Sequence, residues 1–507
     1  MALTRRQFLK RSATLAAGAT LSPAMKWLPG TGVAWASGPS DAIVVFVQLF
    51  GGNDGLNMLY PLAGTQRTLY EAYRPTMRCP QVGGDVSPWT AAGYDTSGGT
   101  GGVLEVGNDG NGDAYALNPA MKALWDIYDN DGRLAIVPGV HYPDPSYSHF
   151  RSEVIYYTGD SVGTSGFGWM GKYLELPSSG FTATDVPAVM LGDQYNPLFT
   201  PTATSLFAFN RLSELRFPAR NYRPERAAAC SDMHAVSGNW EISDPGLYPE
   251  LANIGDTGVA SISKFEEYYK SGSETGKVEK LLIDGDGNYA SYNSLVYASP
   301  LNPEGGLFDQ TYLTDDLRHV AAVIRSDVGA RFFHVGIGGF DTHSNQEQDL
   351  YHSNLLHQVS EAIGAFWAEM KTPATLPAGY AGDGYLTGDL SSKVLIVTIS
   401  EFGRTNRQNS NSASAAGTDH GRSSVQFVVG PTVVNGIHGD HPVLDELADD
   451  LRLSHDFRDF YGTICDKWLN VSLTDIGPNP GKLFEKTTAT DGAGDNYTVY
   501  APIGFLP

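Results

Sequence analysis

The stretch VLIVTISEFGRT, residues 394–405, decides how this chain is read. Residues 394–398 are all apolar or β-branched, a run that suits a strand covered on both faces. The run closes on a carboxylate, Glu401, followed by Phe402, Gly403 and Arg404, and GTDHG stands at residues 417–421. A charge at the lip of a buried strand calls for a chemical reason.

Working outward, five further apolar runs occur at residues 42–50, 133–139, 188–192, 330–339 and 424–430. Between them lie helical patterns at 118–132, 313–329 and 347–371. In the last, Leu350, Leu355, Val359, Ile363 and Phe366 form one apolar stripe. This alternation predicts an α/β domain with a mainly parallel central sheet flanked by helices. Residues 79–116 read as a Gly/Asp/Ser-rich loop excursion. Residues 193–312 read as a cap-like insertion, with a helix near 259–270. No linker separates them, so residues 37–507 are expected to form a single elaborated domain.

The first 36 residues have another character. Arg5 and Arg6 precede a weakly apolar stretch, and Ala34-Trp35-Ala36 fits a cleavage site. The order matches a twin-arginine export signal, so a periplasmic or secreted mature chain is expected. The signal carries five cations and no acid, which takes the formal charge from −22 to −27 on removal. Such acidity excludes a phosphate-neutralising nucleic-acid face. No later segment is long and apolar enough to span a bilayer. Three dispersed cysteines allow at most one disulfide and are given no chemistry.

In open α/β sheets ligands bind beyond the carboxyl ends of the strands, so the residues following each run matter most. They are Asp54 after 42–50, Ser148 and His149 after 133–139, and Asp341 and His343 after 330–339. Glu401 and Arg404, then Asp419 and His420, follow 393–400, and His438 and His441 follow 424–430. Taken singly, Asp54 reads as a turn residue, Asp341 as a helix cap and His420 as a loop histidine. Gathered at one edge, Asp54, Asp341, His343, Glu401, Asp419 and His420 make a thiolate-free set suited to a divalent metal such as Zn²⁺, Mn²⁺ or Ca²⁺. Gly51, Gly52, Gly338, Gly339, Gly403, Gly417 and Gly421 stand beside nearly every candidate, where they permit close backbone approach.

FVQLFGGNDGLNMLYPL, YSHFRSEVIYYTG, GGFDTHSNQ, SEFGRT and GTDHG resemble, in order and over about residues 41–470, the exported bacterial domain of unknown function 1501. That family is in turn similar to the alkaline phosphatase and sulfatase superfamily. The resemblance implies an alkaline-phosphatase-like fold and a metal-dependent hydrolase of phosphate or sulfate esters, with an anionic ester as substrate. It implies one ion on Asp341, His343 and His420, and a second or weaker one on Asp54 and Glu401. Ser148 or His149 would be nucleophile or base, and Arg404 or Arg422 would grip the oxyanion. Phe402 stands where the superfamily has a histidine. That departure carries the alternative expectation, an exported binding or assembly protein that engages a protein partner and keeps a degenerate structural metal site.

Overall fold

The computed structural model describes residues 41–143, 145–160, 168–176, 179–181, 187–191, 197–199, 206–209, 270–271, 274–275, 312–373, 385–444, 450–476, 483–484 and 501–507. The signal expected at 1–36, all but the last residue of the helix expected near 259–270, and most of the insertion lie outside them.

The main sheet uses strands β1 (Ile43–Leu49), β2 (Leu134–His141), β3 (Ala188–Leu191), β4 (Leu206–Phe209), β5 (Phe332–Ile337), β6 (Val394–Ile399), β7 (Ser424–Val429), β8 (Gly436–Ile437) and β9 (His455–Asp456). Their order is β8-β2-β7-β6-β1-β5-β3-β4, with β9 also paired to β2. β1 lies parallel to both β5 and β6, and β5, β3 and β4 continue in parallel. β4 comes from the stretch expected to form an insertion; there the chain adds a strand to the sheet.

Alternate residues of each strand enter opposite layers, as the period of two requires. Helix α1 (Gly64–Tyr73) packs Tyr70 and Tyr73 with Tyr60 and Leu62. Val45, Val47 and Leu49 of β1 join one core with the helices α3 (Tyr312–Arg325) and α4 (Tyr351–Lys371). Val44 and Phe46 join the other, with α2 (His149–Thr158) and α5 (Phe457–Thr463). Two covered faces explain why the runs are apolar throughout. The fold is therefore α/β, with a mixed, mostly parallel sheet flanked by helices.

Two local expectations are corrected. Within residues 79–116, Leu104–Asn108 and Ala114–Leu117 are strands of a small antiparallel sheet completed by Leu59–Pro61. Glycine content there marks turns between strands. Second, β7 is antiparallel to both β6 and β2. Its carboxyl end points away from the edge where the parallel strands finish, and the chain then returns beside β2. His438 and His441 therefore lie along the flank of β2, where they hydrogen-bond with Val434, Ile136, Asp109, Pro442 and His455. By the same reversal, Asp419 and His420 arrive just before β7 and reach the edge occupied by Glu401. Among the described residues no helix is long and apolar enough to cross a membrane.

Candidate metal centre

Glu401 follows β6 and is almost fully buried. Its Oε1 accepts from the backbone N–H of Gly51 at 2.7 Å and from His149 Nδ1 at 2.9 Å. These contacts tie the end of β6 to the end of β1 and to the first residue of α2. Gly51 has φ +115°, and a Cβ there would lie 2.3 Å from the Asp341 nitrogen, so only glycine lets the β1 and β5 ends come this close. Phe402 is buried beneath the imidazoles, with ring centroids 4.8 Å from His149 and 4.6 Å from His420. Gly52, at φ +77°, leaves that ring its space, since a Cβ would fall 2.3 Å from it. Gly52→Ala is expected to cost about 2–4 kcal/mol by overpacking and left-handed strain, read as a lower urea midpoint.

Three histidines then share one arrangement. Nδ1 of His149 meets Glu401, Nδ1 of His343 meets Asp419 Oδ1 at 2.8 Å, and Nδ1 of His420 meets the Tyr147 carbonyl at 2.7 Å. Each partner is an oxygen acceptor, so each Nδ1 carries a proton and each ring turns its Nε2 inward. The three Nε2 atoms converge on Asp341. His343 and His420 Nε2 lie 3.1 and 3.2 Å from Oδ1, and His149 Nε2 lies 3.5 Å from Oδ2. His343 Nε2 and His420 Nε2 are only 3.0 Å apart.

Two imidazole nitrogens at that distance either share a proton or lie against a common cation. His149 Nε2 is buried and has no hydrogen-bond partner among the described residues. Histidines held through Nδ1 by a carboxylate or carbonyl, with Nε2 pointing inward, are the usual arrangement around a bound metal. Donor atoms of His149, Asp341 and His420 all lie within 4.8 Å of one another, and the chemistry of this set fits a divalent ion.

Charge is distributed unevenly across the cluster. The Glu401 hydrogen bond raises the His149 pKa despite partial burial, whereas burial lowers that of His420. Burial alone would raise Asp341, but the hydrogen bond and charge of Arg404 outweigh it and bring the carboxyl to about 2. Asp341 is a carboxylate at any working pH, half exposed, and marks the open side of the site.

The other expected residues take different tasks. Asp54, expected as a ligand, instead forms a buried ion pair with Arg74 at 2.5 and 3.1 Å and accepts from Gln346. Past Gly52 the chain turns into the helical segment Gly55–Met58, which carries this carboxylate into the core. Glu401, also expected as a ligand, orients His149, and Asp419 orients His343. Ser148 is the N-cap of α2, with no side-chain cap bond. Arg404, expected to grip substrate, is buried and donates to four backbone carbonyls and Asp341. Arg422 is engaged with Asp450 through its backbone N–H and Nε. Sequence reading missed the Tyr147 carbonyl, the Arg74 partner of Asp54, and Asn409, which donates to the His343 carbonyl at 2.8 Å and to Asp419. None of these has a local signature.

Residues 316–491 match the model of a family described as protein of unknown function (DUF1501). The DUF1501 match takes in Asp341, His343, Glu401, Arg404, Asp419 and His420. His149 and Asp54 fall outside the matched span. No curated protein matches the chain.

Proposed function

We propose that this chain is a metal-dependent hydrolase of phosphate or sulfate esters, with an alkaline-phosphatase-like fold, acting in the periplasm or outside the cell after twin-arginine export. The observation that carries the reading is the convergence of three Nε2 atoms on Asp341 with every Nδ1 already bonded. Asp341 with His149, His343 and His420 would hold the ion, and a nitrogen-rich set favours Zn²⁺ or Mn²⁺ over Ca²⁺. Bound there, a divalent ion supplies Lewis-acid polarisation of an ester oxygen. Glu401 and Asp419 fix the planes of the His149 and His343 imidazoles and aim each Nε2 at the ion's position. Phe402 excludes water from the floor. Ser148, beside His149 and without a capping bond, would supply the attacking hydroxyl, its proton passing to the alcohol oxygen that leaves as the ester bond breaks.

A second reading draws on Arg404 and Phe402. The guanidinium expected to bind the oxyanion is committed to backbone carbonyls, and an aromatic ring stands at a ligand position. Both suit an exported binding or assembly protein that keeps the ion for stability. Aryl phosphate and aryl sulfate, assayed at about pH 7–9 with Zn²⁺, Mn²⁺, Ca²⁺ or chelator, separate the two. Turnover that requires metal and falls in Ser148→Ala is expected. No turnover from protein of verified full occupancy would sink the hydrolase reading and leave the binding one.

A further inference from the structure

Arg404 is the most heavily bonded side chain around the centre. Its Nε donates to the Gly52 carbonyl at 2.8 Å and one terminal nitrogen donates to the Thr418 carbonyl at 2.9 Å. The other donates to the carbonyls of Gly51 and Phe340 and, at 2.6 Å, to Asp341 Oδ1. These acceptors come from three separate places: the turn after β1, the loop after β5, and the segment entering β7. The planar fork therefore joins every loop that brings a ligand to the centre except that of His149. Glycines make the convergence sterically feasible. A Cβ on Gly421 would lie 2.3 Å from the Arg404 carbonyl carbon, and one on Gly417 would lie 2.3 Å from that of His343.

The cost of this arrangement indicates its purpose. A guanidinium out of water is expensive unless its donors are satisfied, and a cation next to a metal site opposes the ion's charge. Neutral packing could hold the loops without that repulsion. What a charged fork adds is control of one carboxylate: it binds Oδ1 of Asp341 and so fixes the rotation of the group that His149, His343 and His420 face. Lysine, a point charge on a flexible stem, has no equivalent fork.

We propose that Arg404 is a positioning residue that presets the metal centre, holding Asp341 and the His420 segment in ligand geometry before any ion arrives. This rests on the metal reading above and extends it. The test compares wild-type protein and Arg404→Lys, which keeps the charge and loses the fork, by competitive Zn²⁺ titration and by the visible spectrum of the Co²⁺ form. Zn²⁺ affinity is expected to fall about 10–100-fold, the range for residues that orient ligands, with an altered Co²⁺ spectrum. A folded Arg404→Lys that binds Zn²⁺ as wild type does overturns the inference while leaving the metal reading intact. Wild-type protein that binds no Zn²⁺ overturns both. Should the variant not fold, hydrogen exchange on wild-type protein decides. The amides of Phe340 and Thr418, bonded to the Phe50 and Thr342 carbonyls, are expected to be equally protected with and without Zn²⁺. Protection that appears only on adding Zn²⁺ overturns the presetting.

Discussion

Chelating the ion from purified protein is expected to lower its melting temperature, and His420→Ala is expected to erase that dependence. An ion present at 1,000 times its dissociation constant stabilises the folded state by about 4 kcal/mol. For a chain this long the unfolding entropy makes that worth about 4 °C. The informative contrast is Asp54→Asn. If Asp54 were a ligand, its loss would weaken the ion-dependent shift as His420→Ala does. The structure places it against Arg74 in a fully buried ion pair, and removing one member of such a pair strands the other charge, at a cost of about 3–5 kcal/mol. Asp54→Asn should therefore melt lower with or without ion and keep the full shift between the two. Calorimetry of the three proteins, each with Zn²⁺ and with chelator, reads both quantities. Loss of the ion-dependent shift in Asp54→Asn would return Asp54 to the metal centre.

The contrast also marks how far the sequence could be read. Residues 394–399 and 43–49 were legible as central strands because both faces are buried, which leaves no polar alternation to confuse them. The edge where Asp341, Glu401 and His149 gather follows from strand polarity alone. Illegible was anything settled by a partner far along the chain. His149 and Glu401 are 252 residues apart, and no local pattern says that one carboxylate will orient the imidazole rather than bind the ion. Asp54 and Arg74 are separated by 20 residues and a helix. The direction of β7 was hidden too, since SVQFVV is equally apolar read either way. That one reversal is why His438 and His441 lie along the flank of β2 rather than directly beyond a strand end. The placement of GTDHG survived it, because its segment reaches the edge occupied by Glu401 by being the start of a strand rather than the sequel to one.

Acid is expected to destabilise the metal-free protein well above the pH at which carboxylates titrate. His141, His334 and His441 are buried, and burial lowers their pKa values to about 3, about 3 and about 4. His141 has neither ring nitrogen hydrogen-bonded among the described residues, and His441 stacks on Tyr115 at 4.8 Å. Each ring stays neutral in the folded state, whereas in the unfolded chain it takes up a proton below about pH 6.5. Between those values the unfolded state binds more protons, so stability rises with pH. The contribution is fully present above pH 6.5 and is lost as pH falls toward 4 and 3. At pH 5 the loss is on the order of 2 kcal/mol per histidine, and three together rival the whole stability of a typical domain. Glu153 opposes this: burial and the Glu401 charge raise its carboxyl to about 7, so protonation there favours the fold as pH drops. It is a partly exposed group, and water screens much of its effect. The urea midpoint of chelated protein should therefore fall steeply between about pH 6.5 and pH 5. His334→Gln, which keeps a side-chain amide near Gln48, should lessen that slope by about 1.4 kcal/mol per pH unit. A midpoint that holds constant across this window would mean these imidazoles are charged or solvated in the folded protein.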